Sequence, residues 1–185
     1  MEGKRVRKRI SLEPKGVPAI EDTEAFVANR GSAHARIVTT IDEHIGVKIW
    51  FDKHYLQRHQ LGDENGKRVG IDTTIVEELV TNSIKHLLFY CSYVKNFTFL
   101  NDGKPANGGR TLRVACQQQT KDGMLGVIIE AHFVSLYEYE ITVITAICKE
   151  EFEISDGQYA IELLSKDNSI LKFNSRGKIC EVFSI

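Results

Sequence analysis

The spacing of apolar residues along this chain changes period near its middle. Ile75, Val76, Leu79, Val80, Ile84, Leu87, Leu88 and Cys91 recur at steps of three and four. That period predicts an amphipathic helix over about 74–94, with Glu77, Glu78, Thr81, Asn82 and Lys85 on the opposite side. Thr74 and Glu77 have the spacing of a capping box, which sets the expected helix start.

After this helix the period becomes two. Segments 97–100, 111–118, 125–134, 141–148, 158–164, 170–173 and 179–185 read as strands, although 158–164 is also compatible with a helix. The turn clusters Lys121-Asp122-Gly123 and Ser175-Arg176-Gly177 are short, so antiparallel neighbours are expected. Segments 125–134 and 141–148 are apolar on both alternating faces, which predicts central strands covered on one side by the long helix. Upstream, β-branched and aromatic residues concentrate at 35–41 and 46–51, predicting two short strands around Asp42-Glu43-His44. Asp52 is suited to cap a short helix over 53–61, which ends at the loop Gly62-Asp63-Glu64-Asn65-Gly66.

These elements predict an α+β fold: a long amphipathic helix and a short helix packed on an antiparallel β-sheet, with an extra C-terminal β-meander. Residues 35–185 are expected to form that single domain. Residues 1–34 are expected to form a basic amino-terminal arm, with Lys4, Arg5, Arg7, Lys8 and Arg9, a Pro14-Lys15-Gly16-Val17-Pro18 break and a short helix at 23–28.

Composition narrows the function only slightly. A net charge of −1 gives no overall attraction to nucleic acid, so any anion site must come from local clustering. Cys91, Cys116, Cys148 and Cys180 form no CxxC pair and sit in apolar segments, which predicts reduced, structural thiols. No apolar run of signal-peptide length follows the charged start, and Lys85, His86 and Lys95 interrupt the most apolar helix. A cytoplasmic protein with no membrane span is expected.

Several chemistries find no support. The segment 62–68 approaches a phosphate-binding loop but is one residue short before Gly66-Lys67, and Arg68 stands where a magnesium-binding hydroxyl is needed. The six histidines lack the spacing of a zinc site, so no metal or other cofactor is expected. His86 and His132 are read as structural, and a nucleophile elbow is absent.

One constellation remains. In Phe51-Asp52-Lys53-His54-Tyr55-Leu56-Gln57-Arg58-His59, the four-residue step places His54 and Arg58 on one helical face just after a strand. RNA cleavage by its own 2′-hydroxyl needs a proton carrier and cations that stabilise a charged phosphorane. Histidine, with an unperturbed pKa of about 6.5, and the planar arginine fork meet those needs. The same spacing equally describes two solvated residues on an exposed face.

The strand ending in Phe51-Asp52-Lys53-His54, the His54-x-x-x-Arg58 step and Lys67-Arg68-Val69-Gly70-Ile71-Asp72 leading into the long helix resemble the RelE-like ribonuclease toxin superfamily, which includes barnase-like and colicin-type nucleases. The strands at 111–116 and 125–130 and the Val143-Ile144-Thr145-Ala146 ending are similar as well, so the resemblance spans about 46–148. It implies a metal-independent endoribonuclease-like fold with His54 as proton-transfer group, Arg58 and Arg68 on phosphate, and Arg113 and Thr145 on the same sheet face. RNA and an inhibitory protein partner are the implied partners. The insertion before Arg68, Tyr55 in place of a small residue and the strands beyond Cys148 depart from the family pattern. A second function class stays open: a non-catalytic interaction domain, such as an immunity or defence-associated protein, using a sheet edge or the acidic segment Lys149-Glu150-Glu151-Phe152-Glu153.

Overall fold

The alternating segments pair into one sheet that dominates the molecule. The computed structural model describes residues 28–41, 45–61, 70–102 and 111–185. Among them the order is β1 (Arg36–Ile41), β2 (Gly46–Phe51), α1 (Lys53–Leu61), α2 (Thr73–Tyr93), β3 (Leu100–Asn101), β4 (Val114–Thr120), β5 (Gly123–Ser135), β6 (Glu138–Lys149), β7 (Tyr159–Leu163), β8 (Ser169–Ser175) and β9 (Lys178–Ser184). The nine strands form a single sheet in the order β1-β2-β6-β5-β4-β7-β8-β9, with β3 beside β5.

The expected architecture is therefore corrected. A small antiparallel sheet under two helices with a separate meander is replaced by one mixed nine-stranded sheet in which two helices are the minority. The short turns did predict the antiparallel pairs β4–β5, β7–β8 and β8–β9. The parallel pairs β2–β6, β3–β5 and β4–β7 join strands far apart in the chain, and no local turn announces them. The β4–β7 pair fuses the expected meander to the rest of the sheet. The segment 158–164 is strand rather than helix because Ala160 and Ile161 fill the sheet interior beside Ala115 and Cys116.

Local signals explain the helix boundaries. Asp52 caps α1, its Oδ1 accepting the His54 N–H at 2.8 Å. Asp72, not Thr74, caps α2: its Oδ1 accepts the Thr74 N–H at 2.7 Å. The buried stripe of α2 is Val76, Leu79, Val80, Ser83, His86, Leu87 and Tyr90. It is rotated from the expected stripe, since Ile75 is 52% exposed while the polar Ser83 and His86 are buried. Ser83 satisfies its hydroxyl on the Leu79 carbonyl at 2.8 Å, and His86 bonds the Lys166 carbonyl at 2.9 Å and Ser169 Oγ at 3.1 Å. Internal partners thus make polar residues acceptable in the core.

The core lies between this helix face and the sheet, joining Val47, Ile49 and Phe51 to Leu79, Leu87, Val127, Ile129, Ile141, Val143, Ile161 and Leu171. The β8–β9 hairpin turns through Arg176 and Gly177, both at positive φ, as a two-residue loop between right-twisted strands requires. Cys116 is fully buried, as expected for a structural thiol, and burial pushes its pKa up to about 12. Cys148 and Cys180 are exposed, contrary to the expectation of core thiols. The helix expected at 23–28, apart from Ala28, and the loop Gly62–Gly66 lie outside the described residues.

Candidate functional site

The chemistry-bearing residues collect on the sheet face opposite α2. Two chain segments cover that face. Residues 28–32 lie over β6: Asn29 Nδ2 donates to Thr142 Oγ1 at 2.6 Å, and Ser32 Oγ donates to Asp52 Oδ2 at 2.9 Å. Gly31 has no room for a side chain, because a Cβ there would meet Thr142 Oγ1 at 2.5 Å. Farther along, residues 150–158 carry the chain from β6 over β5 and β4 to β7. The Phe152 ring packs directly against Gly126, and Ile154 packs with Ala115 and Ala160.

Between this crossover and the sheet runs a groove of about 580 Å³. Ile128, Ile144, Ile147 and Phe152 are its apolar lining, and Arg113, Thr145, Lys149, Glu151, Glu153, Ser155 and Gln158 supply the polar groups. A bulge shapes it. Pairing runs from Ile129–Val143 to Ile128–Thr145, so Ile144 is the extra residue and both Ile144 and Thr145 reach the groove.

At one end Arg113 meets a buried carboxylate. Its Nε donates to Glu130 Oε1 at 2.7 Å, and Thr111 Oγ1 donates to the same oxygen at 3.0 Å. Burial by itself raises the Glu130 pKa, but His132, Arg113 and Thr111 outweigh it and hold the carboxyl below the ordinary glutamate range. His132 Nε2 sits 3.9 Å from Glu130 Oε2, beyond hydrogen-bond length. His132 is buried in β5, and neither ring nitrogen has a hydrogen-bond partner among the described residues.

Of the five residues nominated from sequence, Arg113 and Thr145 share this groove. His54 is exposed in the first turn of α1 and is not part of the lining. The Arg58 side chain and Arg68 lie outside the described residues. In α1 the neighbouring rings have structural work. Tyr55 Oη donates to the Ile71 carbonyl at 2.9 Å, and His59 Nδ1 donates to the same carbonyl at 2.8 Å. Glu130 and the Gly126–Phe152 contact escaped the sequence reading; a charged residue and a glycine within an otherwise apolar strand were the available signals.

A second surface lies at the sheet margin. All of β9 is exposed, Ile179, Val182 and Phe183 are among its apolar positions, and the exposed Ile185 follows it. Phe183 stands 6.3 Å from Phe89, whose ring stacks on Tyr93 at 4.4 Å, and Tyr93 is 70% exposed.

Comparison of the chain with protein-family models, curated proteins and solved structures returned no match. The RelE-like resemblance therefore rests on the motif residues alone. No helix among the described residues is long and apolar enough to cross a membrane.

Proposed function

We propose that this protein is a non-catalytic protein-interaction domain whose contact surface is the β9 edge together with the end of α2. The observation that carries this reading is the exposed apolar strip of β9 running into Phe89 and Tyr93. β9 is last in the sheet order and pairs with β8 alone among the described residues. An edge strand offers backbone N–H and C=O groups to an added strand, and exposed aromatic side chains supply the apolar contact that such complexes bury. Lys178, Glu181 and the register shift at Leu171/Lys172 restrain indiscriminate pairing of that edge.

The test is affinity capture from the source cells with the intact chain, with Tyr93→Ala and with Val182→Lys, each checked for unchanged thermal unfolding. A protein retained by the intact chain and lost with both variants supports the reading. Equal retention by all three would remove β9 as the contact surface.

An endoribonuclease remains the second reading, favoured by Arg113 and Thr145 lining one groove. Glu130 already compensates Arg113, and Glu151 and Glu153 bring negative charge to the same groove, which opposes a phosphate there. RNA cleavage on induction that disappears with His54→Ala would restore it above the interaction reading.

A further inference from the structure

The groove under the 150–158 crossover has a composition that selects a ligand. Its lining is aliphatic at Ile128, Ile144 and Ile147, closed on one side by Phe152. A volume of about 580 Å³ falls within the roughly 300–1,000 Å³ of ordinary ligand sites. The charges are unevenly balanced. Arg113 is held by Glu130, whereas Glu151 and Glu153 have neither a hydrogen bond nor an ion pair among the described residues. Both are exposed and line the groove, with Glu150 beside them and Lys149 as the one lysine among the described lining residues. Glu151 and Glu153 therefore line a groove of mixed aliphatic and polar surface with an excess of negative charge.

We infer that this groove binds an extended basic segment of a partner protein, with its aliphatic side chains on the isoleucines and its Lys or Arg groups on Glu151 and Glu153. Charge complementarity selects the basic chemistry, and the aliphatic lining selects a peptide over a simple cation. The platform is fixed before binding, because Phe152 and Ile154 anchor the crossover on Gly126, Ala115 and Ala160. This site extends the interaction reading to a second surface and is independent of β9.

The test is fluorescence anisotropy on the full chain with three labelled ten-residue peptides: alternating Lys and Leu, alternating Glu and Leu, and alternating Lys and Ser. The Lys–Leu peptide is expected to bind, at least tenfold more tightly than the other two, with affinity falling as salt rises. The double variant Glu151→Lys/Glu153→Lys should weaken it at least tenfold, and Ile147→Asn should do so without removing the charges. Val182→Lys should leave it unchanged, which separates failure of this site from failure of the β9 surface. Absence of binding, or equal binding of the Glu–Leu peptide, overturns the inference. The same titration with Arg5, Arg7 and Arg9 changed to Gln in the full chain tests the other occupant. If the Lys–Leu peptide binds only then, the groove belongs to the chain's own basic stretch and the partner assignment is overturned.

Discussion

Gly126→Ala is the substitution with the most closely determined outcome. Gly126 lies within β5, where an alanine normally gains about 0.5–1 kcal/mol over glycine by restricting the unfolded chain. Here the added Cβ would enter the ring of Phe152 at three of its carbons, far inside van der Waals contact. The backbone of a central strand cannot retreat, so the ring must leave. Full loss of a buried Phe costs about 3–5 kcal/mol, and Phe152 is only half-buried, so its displacement should cost about 1.5–2.5 kcal/mol. The expected net destabilisation is about 0.5–2 kcal/mol, measured by urea unfolding. Phe152→Ala alone should cost a similar amount. Adding Gly126→Ala to Phe152→Ala should then stabilise, since nothing remains to clash. The coupling between the two positions is expected to be about 1–3 kcal/mol. Equal effects of Gly126→Ala with and without the Phe152 ring would falsify the proposed packing of the crossover.

Other outcomes follow from single contacts. Because the Glu130 carboxyl is depressed in the folded state, its contribution to stability is present above the unfolded value of about 4.3 and is lost as pH falls through the lower folded value. Unfolding curves between pH 7 and 2 should therefore show a loss of stability in the acid range that Glu130→Gln lacks; identical pH profiles would contradict it. Asp72→Ala should lower stability by about 0.5–2 kcal/mol through loss of the α2 cap, and Asp72→Ser should recover most of it in the same unfolding assay. His54→Ala should leave both thermal stability and host growth unchanged under the interaction reading, whereas relief of growth arrest and RNA cleavage would reinstate catalysis.

Sequence periodicity located most elements because each depends on near neighbours in the chain. The α2 pattern and the turns at Gly123 and Gly177 are of this kind. What escaped it depends on distant partners. Tyr90 and His86 are acceptable inside because Ser169 and Lys166, some eighty residues later, receive their polar atoms. The parallel partners of β2 and β4 arrive from β6 and β7, with no composition signal at either end. The same limit applied to the site. His54 and Arg58 are linked by a visible helical step, whereas the groove joins Arg113 to Glu151 through strand order and a bulge at Ile144.

The width of the sheet gives a physical reason for an exposed margin. Eight strands in line, at about 4.8 Å between neighbours, span on the order of 34 Å, while two helices, each about 10 Å across, cover roughly 20 Å. α1 follows β2 and lies beside β6, and α2 packs on β4, β5 and β7. Helix cover thins at β9, where Phe183 meets only the end of α2 at Phe89 and Tyr90 and is 40% exposed although its partner Leu171 is buried. On the other face, residues 28–32 lie over β6 and residues 150–158 reach β8, where Asn174 Nδ2 donates to the Ile154 carbonyl at 2.6 Å. Burial thus thins at β9, one of the two strands that end the sheet order among the described residues, and apolar residues occupy that strand. A mostly polar β9 would have solved the solubility problem that this geometry creates. Its Ile, Val and Phe side chains instead match the chemistry of a surface that is covered by another chain.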